Sequence, residues 1–353
     1  MSKISKQMIT RLDTDGMFRK IEEFPEQMRK GWEIAENTEA NIDFSKIRNI
    51  VFSGMGGSAI SGDMIHSIHS EALSVPMIVN RCYQIPDFVN SETLFIASSY
   101  SGNTEETLSA TEQAIERDAR IICITSGGQL EQIARKNGYP RFQLIPGYPP
   151  RAALGYGLGV LLQIFHRLGI GKLSRKEVDK AVSVITEKGR IWSDIDHQEN
   201  IPLDTARQLF GKIPLIYASA SRFEFVGYRW KTQLNENSKI HAFSQPFPEM
   251  NHNEIVGWDM FDDLGNKPSV VILRDSQDHK RIKARMDIVA QYLAERGVKV
   301  INLESRGGSD LEKIFYFVQL LDFASYYLAL LGGVDPFPIP AITFLKNRLS
   351  EIR

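Results

Sequence analysis

Short runs of apolar residues recur along the chain, each followed by a loop of small and polar residues and then by a helical pattern. In the first half these runs lie at residues 47–52, 76–79, 94–97 and 121–124. In the second half they lie at residues 214–217, 270–273 and 298–301, and a helical stretch at 280–296 separates the last two. Strands that alternate with helices favour parallel sheets joined by crossover helices. The pattern predicts an α/β fold whose second half repeats the architecture of the first.

The segments around these two series predict helices and connections. Apolar positions between Met8 and Glu36 recur at helical spacing, and Pro25 is expected to divide them into two short helices that form a packing arm. Two further helices flank residues 169–171, and a polar stretch at 194–202 connects the lobes. These features divide the chain into an N-terminal helical arm (1–45), a first domain (46–190) and a second domain (200–353).

The longest apolar run, residues 314–334, raises the question of a membrane span. It contains Gln319, Asp322 and Ser325, and it ends at two consecutive glycines, a signal that stops helices. We therefore expect a buried core helix and no membrane partner.

Composition narrows the class of protein. The chain has 353 residues, about right for two domains, and its formal net charge of -1 offers no field that would attract nucleic acid or an anionic membrane. Its two cysteines, Cys82 and Cys123, cannot build a disulfide framework or a thiolate metal cage by themselves. The N-terminal residues are charged throughout, with no apolar segment that would mark export. These features predict a cytoplasmic protein.

A glycine-rich loop at residues 54–59 follows the first strand. Its glycines fit a dinucleotide fingerprint, which also expects an acidic residue about 20 positions later. The chain has Asn80 and Arg81 there, which disfavours NAD and leaves NADP, held through Arg81, as an alternative. A tight turn that binds nothing is the other alternative.

A second loop, at residues 98–104, carries four serine and threonine hydroxyls between a predicted strand and a predicted helix. Hydroxyls beside the free amides of a first helical turn can surround the oxygens of one phosphate, aided by the helix dipole. Ser101 and Thr104 could instead be plain helix caps, although capping explains only one or two of these hydroxyls. The set favours phosphate binding.

Together these loops, GGSAISGD and SYSGNTEET, resemble the sugar isomerase (SIS) domain, a parallel sheet that binds phosphosugars. Further segments, PGYPPRAALGYGLG, YRWKTQLNENSKIHAF, PEMNHNEIVGW and FLKNRL, resemble in order the motifs of bifunctional phosphoglucose/phosphomannose isomerases. The resemblance spans residues 50–350 and implies two SIS domains, each a three-layer αβα unit. It also implies that glucose 6-phosphate and mannose 6-phosphate are each interconverted with fructose 6-phosphate through an enediol, with no metal and no organic cofactor.

The resemblance also implies roles for individual residues. Glu236 matches the base that moves a proton between C1 and C2, and a carboxylate suits that task. His252 matches a ring-opening histidine that the family places in the site of the neighbouring subunit, which implies a homodimer. Arg151 matches the cation that stabilises the enediolate, and Lys346 a lysine that contacts the sugar or aids ring opening. The phosphate cradle carries over to six residues: Gly56, Gly57, Ser58, Ser99, Ser101 and Thr104.

Several interpretations stay open. Residues 335–340 depart from the pattern of relatives, in which a small residue leaves room for either C2 epimer, so this segment is a candidate filter against the mannose activity. A metal site built from His241 and residues 251–254 is disfavoured because the spacing fits no zinc pattern. A phosphosugar sensor without catalysis would usually carry a DNA-binding segment, and no helix-turn-helix is visible. An isomerase for a pentose or amino-sugar phosphate remains possible.

Overall fold

A computed structural model describes residues 4–40, 43–171, 173–220, 222–264 and 267–352, without the side chains of 260–264. Its strands are β1 (Asn49–Ser53), β2 (Met77–Asn80), β3 (Thr93–Ser98), β4 (Arg120–Thr125), β5 (Arg141–Gln143), β6 (Ile213–Ser219), β7 (Phe243–Phe247), β8 (Pro268–Arg274) and β9 (Lys299–Glu304). Its α-helices are α1 (Lys6–Leu12), α2 (Met17–Glu22), α3 (Phe24–Glu36), α4 (Gly56–His69), α5 (Glu105–Glu116), α6 (Gly128–Asn137), α7 (Leu154–Arg167), α8 (Arg175–Ser193), α9 (Ile201–Leu209), α10 (Glu224–Glu236), α11 (Lys280–Glu295), α12 (Asp310–Leu331) and α13 (Pro340–Ser350). Short 3-10 helices lie at Phe44–Lys46, Pro150–Ala152, Glu249–His252 and Glu254–Leu264.

Two parallel sheets organise the fold, as predicted. The first has five strands in the order β2-β1-β3-β4-β5, and the second has four described strands in the order β7-β6-β8-β9. In both sheets the chain leaves its first strand, pairs a second strand on one side and then crosses to the other side. Helices flank the sheets, so the predicted α/β class is confirmed.

Two strands were not predicted from the pattern. β5 has only three residues, too few for a periodic signal. β7 is an edge strand in which exposed Phe243 and Gln245 alternate with half-buried positions, and it contains Pro246. Proline is tolerated there because an edge strand leaves backbone groups unpaired.

The N-terminal arm corrects one prediction. The arm has three helices rather than two, because the chain also breaks at residues 13–16, between α1 and α2. Pro25 does mark a break, as predicted: α2 ends at Glu22, and Pro25 lies in the first turn of α3, where its missing N–H has no intrahelical partner to lose. Helix α3 lies close against α7: a Cβ added at Gly159 would lie 2.4 Å from the Met28 carbonyl oxygen. The prediction that this segment packs on the body of the protein is confirmed.

Helix α12 forms the centre of the core. It is the one helix in the described ranges that is long and apolar enough to span a membrane, and its most apolar window is entirely buried inside the protein. It packs against α8, α9 and α10. The prediction of a buried core helix is confirmed.

Candidate active site

The loops predicted to bind phosphate meet at one point of the first sheet. β1 and β3 are neighbours, yet the chain pairs β2 on the outer side of β1 before it forms β3. In open parallel sheets ligands bind outside the carboxyl ends of the strands at such a switch point. The loop after β1 begins α4 and the loop after β3 leads into α5, so two helix N-termini point to the same place.

Hydrogen bonds shape these loops internally. The Tyr100 amide donates to Ser58 Oγ at 3.3 Å and so joins the two loops. Ser99 Oγ, which is buried, lies 2.8 Å from Thr104 Oγ1 and accepts from the Gly102 amide at 3.1 Å. Thr104 is the N-cap of α5, but its side chain makes no capping hydrogen bond. Thr104 is therefore not a side-chain cap, and its hydroxyl hydrogen-bonds Ser99 instead.

Two glycines fit α4 into this corner. Gly56 has φ of +50°, a conformation that side chains rarely adopt. At Gly57 an added Cβ would lie 2.8 Å from the Pro150 carbonyl oxygen and 3.4 Å from Arg151 Cα. The first turn of α4 therefore lies directly against the turn that carries Arg151.

Arg151 connects the phosphate loops to the second domain. Its side chain is buried, and its Nε donates to Asn237 Oδ1 at 2.7 Å. Its Nη2 donates to the carbonyl oxygens of Pro336 at 2.8 Å and Phe337 at 2.7 Å. These bonds occupy Nε and Nη2, so Nη1 is the part of the guanidinium that remains to face Glu236 Oε2, 3.4 Å away. Burial lowers the pKa of Arg151, and the Glu236 carboxylate opposes that shift.

Glu236 is the last residue of α10, as the sequence predicted. Its side chain is 28% exposed, so it is accessible to a ligand while remaining paired with Arg151. The structure thus brings together two of the four predicted catalytic residues.

A buried polar layer behind these residues was missed by sequence reasoning. Asp322 of α12 accepts from Arg229 Nη2 at 2.5 Å and from Gln233 Nε2 at 2.9 Å, and Arg229 also donates to the Arg151 carbonyl oxygen at 3.1 Å. Burial raises the pKa of Asp322, opposed by the charge of Arg229. The signal was present in the sequence, because Asp322 interrupts the longest apolar run.

A parallel contact fixes Asn237. Its side-chain amide donates to Ser325 Oγ at 3.0 Å while its oxygen accepts from Arg151. Helix α12 therefore orients Arg151 through Asn237.

The N-terminal arm also supports this turn. Gln27 of α3 donates to the Ala152 carbonyl oxygen at 2.8 Å, and its oxygen accepts from the Gly155 amide at 3.2 Å. Tyr148, just before the turn, donates to Glu23 at 2.5 Å. The arm thus holds the Arg151 turn from the side opposite α10.

An open cavity of about 800 Å³ borders Arg151. Tyr148, Phe337, Thr343 and Phe344 are among its other lining residues, so it lies between the Arg151 turn and helix α13. Its walls are apolar apart from a few polar groups, which is typical of small-molecule sites.

The other two predicted catalytic residues lie apart. His252 is exposed on the 3-10 helix that follows the edge strand β7, and Lys346 is exposed on α13. Within the described ranges neither forms a hydrogen bond or an ion pair with Arg151 or Glu236. The described chain therefore brings two of the four predicted catalytic residues together and leaves the other two apart.

Two alternatives find no support in the geometry. Arg81, the residue that NADP would require, forms an ion pair with Asp63 of α4. No cluster of three or more His, Cys, Asp or Glu side chains able to hold a metal occurs among the residues that the structure covers.

Solved structures show the same fold. A hypothetical protein from Thermus thermophilus superposes with a TM-score of 0.78 at 16% identity, covering 98% of this chain and 92% of that chain. The C-terminal domain of glucosamine-fructose-6-phosphate aminotransferase from Francisella tularensis has a TM-score of 0.68 at 17% identity, covering 91% and 97%. At these identities the likeness concerns the fold alone.

Sequence comparisons are more specific. Residues 43–139 match the SIS domain family, and residues 198–349 match the family described as the bacterial phospho-glucose isomerase C-terminal SIS domain. A bifunctional phosphoglucose/phosphomannose isomerase of Caldicellulosiruptor bescii is 39% identical over 96% of this chain and 100% of its own length. One from Aquifex aeolicus is 36% identical over 88% of this chain and 92% of its length. A D-glucosamine-6-phosphate 4-epimerase of Sulfolobus acidocaldarius is 35% identical over 58% of this chain and 62% of its length. The chain belongs to the family of bifunctional phosphoglucose/phosphomannose isomerases.

Proposed function

We propose a mechanism in which this aldose–ketose isomerase places the phosphate of fructose 6-phosphate at the switch point of the first sheet and its C1–C2 bond beside Glu236. The products are glucose 6-phosphate and mannose 6-phosphate. The observation that carries the proposal is the pairing of Arg151 with Glu236, next to the phosphate loops on one side and the cavity on the other.

The phosphate cradle consists of Gly56, Gly57, Ser58, Ser99, Ser101 and Thr104. Free amides at the starts of α4 and α5 and the hydroxyls of the two loops supply its donors, which suit a dianion without a lysine or arginine. The hydrogen bonds between the loops support this role because they fix the donors before a ligand arrives.

Proton transfer falls to Glu236. Its carboxylate removes the proton from C1 of the ketose, which leaves a 1,2-enediolate with its charge on O2. A proton then passes from O1 to O2, and Glu236 returns its own proton to C2 as the carbonyl forms at C1, which gives the aldose. The face of C2 that is protonated decides between glucose and mannose 6-phosphate. Arg151 Nη1 stabilises the enediolate, and its fixed orientation supports this role because preorganised charge needs no rearrangement during the reaction.

Ring opening requires groups near the ring oxygen, and we assign it to His252 of the neighbouring subunit and to Lys346. The exposed positions of both residues support an assembly in which a homodimer completes each site. Large apolar side chains on α13 support it further: Phe344 is 65% exposed and Leu345 is 56% exposed. Such exposure is typical of surfaces that are covered by a partner.

We also retain two wider predictions. The matched regions at 43–139 and 198–349 support the division into an arm (1–45) and two SIS domains (46–190 and 200–353). A cytoplasmic location is supported by two free cysteines, Cys82 and Cys123.

The test is turnover of fructose 6-phosphate in the presence of EDTA, with separate coupled readouts for the two aldose phosphates. Formation of both products supports the proposal. Glucose 6-phosphate alone would identify residues 335–340 as an epimer filter. If neither product forms and an amino-sugar phosphate is turned over instead, the substrate assignment is wrong and the amino-sugar phosphate takes its place.

A further inference from the structure

Lys239 lies three residues after Glu236, just beyond the end of α10. Its ammonium donates to the carbonyl oxygen of Glu236 and, at 3.3 Å, to that of Pro336. The Pro336 carbonyl also accepts from Arg151 Nη2 at 2.8 Å. Lys239 therefore ties the helix end that carries Glu236 to an acceptor that it shares with Arg151.

The backbone of Lys239 is strained. Its φ is +58°, in the left-handed region, where a Cβ is disfavoured. Elsewhere in the described chain, helices α6, α7, α11 and α12 are followed by glycines with positive φ: Gly138, Gly169, Gly297 and Gly333. Helix α5 is followed by Asp118, with φ of +55°, a residue type that tolerates this region. A lysine at such a position points to a side chain that is needed there.

Charges from three segments face the ammonium. They are Arg151 from the Pro150–Ala152 turn, Glu236 from α10 and Asp335 from the segment before α13. Burial and the charge of Arg151 lower the pKa of Lys239 to about 8, while Asp335 and Glu236 oppose the shift. Lys239 is exposed as a residue, so solvent can supply and remove its proton.

We propose that Lys239 is a positioning residue whose charged amine fixes the end of α10 to Pro336 and thereby holds the Glu236 carboxylate opposite Arg151. This inference rests on the proposed role of Glu236 as the base. A base that must reach both C1 and C2 tolerates little displacement, since about 1 Å of misplacement can cost on the order of 100-fold in rate.

The experiment measures kcat and KM for fructose 6-phosphate across neutral and alkaline pH in wild type, Lys239→Met and Lys239→Arg. We expect Lys239→Met to lower kcat by about 10- to 100-fold with little change in KM. Wild type is expected to lose kcat as pH rises through the pKa of Lys239, about 8. Lys239→Arg should keep most of kcat and lose this alkaline decline, because a guanidinium stays protonated there.

Lys239→Gly separates positioning from stability. Glycine adopts φ of +58° without strain, so the melting temperature of the Lys239→Gly variant should equal or exceed that of wild type. Its kcat should nevertheless fall as in Lys239→Met. The matched control is Asp118→Gly, at an exposed turn after α5. It relieves the same backbone strain as Lys239→Gly and should leave kcat unchanged.

Two results would overturn the proposal. One is wild-type kcat in Lys239→Met; the other is a Lys239→Arg variant as impaired as Lys239→Met. A double variant, Lys239→Met with Glu236→Gln, distinguishes a failure of the Lys239 proposal from a failure of the assignment of Glu236 as the base. If Lys239 acts through Glu236, the double variant is no slower than Glu236→Gln alone, whereas full activity in Glu236→Gln would instead remove Glu236 from the mechanism.

Discussion

The two sheets share a strand order but differ at their switch points. At the first, between β1 and β3, hydroxyls and helix N-termini surround the place where we propose that the substrate phosphate binds. At the second, between β6 and β8, the protein supplies its own anion: Asp275, directly after β8, is fully buried. Arg222 Nη1 lies 2.8 Å from its carboxylate and Lys313 Nζ lies 3.0 Å from it.

The difference shows how one architecture supports two roles. The first switch point leaves its donors for a ligand, whereas the second satisfies two cations with an internal carboxylate. Ser305, after β9, and the Gln277 amide also donate to Asp275. The second domain therefore contributes Glu236 from the far end of α10 rather than a phosphate site from its own switch point.

The largest expected effect comes from removing the internal anion. Asp275→Ala leaves Arg222 and Lys313 without their shared carboxylate, which should lower the free energy of unfolding by about 3–5 kcal/mol. Denaturant unfolding measures this. Added sulfate should restore stability to the variant far more than to wild type, and equal responses would show that the second switch point is not an anion site.

Acid should lower the stability contributed by His69 of the first domain and by Asp275 of the second domain in different pH ranges. Burial lowers the pKa of His69, near the end of α4, to about 4, so the stability from neutral His69 is complete above its unfolded value of about 6.5 and is lost as pH falls towards 4. That loss is about 3 kcal/mol. Hydrogen bonds from Ser305 and Lys313 lower the pKa of Asp275 despite its burial, so the stability that it contributes is complete above its unfolded value of about 3.9 and is lost only as pH falls below that value. The free energy of unfolding, measured from pH 7 to pH 4, should fall less steeply in His69→Phe than in wild type. An equal pH dependence in the two proteins would contradict this assignment.

A smaller effect is expected at the first switch point. Ser99→Ala removes a hydroxyl that organises the loop and belongs to the proposed phosphate cradle. Substrate affinity should therefore fall by about 10- to 100-fold, the equivalent of one hydrogen bond to a charged group. Calorimetric titration with fructose 6-phosphate or inorganic phosphate measures it. Ser305→Ala, after β9 in the second sheet, is the matched control. A comparable loss of affinity in that variant would contradict the claim that the phosphate binds at the first switch point and not at the second.

Local patterns predicted most of the fold. The runs that became β3, β4 and β8 are buried on both faces, so they appear in the sequence as continuous apolar segments. The edge strand β7 lacked that signal because half of it faces outward. Pro25 marked the break before α3, because proline suits the first turn of a helix, whereas the break at residues 13–16 contains no proline and was not predicted.

The site was predictable only in part. Motif resemblance identified Glu236 and Arg151, which the structure pairs. Asn237 and Lys239 lie in the motif segment that carries Glu236, and Asp322 lies outside the motif segments. The sequence assigns none of them a role, because their roles arise from tertiary contacts between α10, α12 and the segment before α13. His252 and Lys346 stay predictions, since one chain does not bring them to Glu236.

The most direct test of the mechanism is exchange of the C1 and C2 protons of bound sugar phosphate with solvent deuterium in Glu236→Gln. We predict fructose 6-phosphate binding close to that of wild type, with exchange and turnover slower by about two to four powers of ten. Exchange at the wild-type rate in this variant would contradict the assignment of Glu236 as the base.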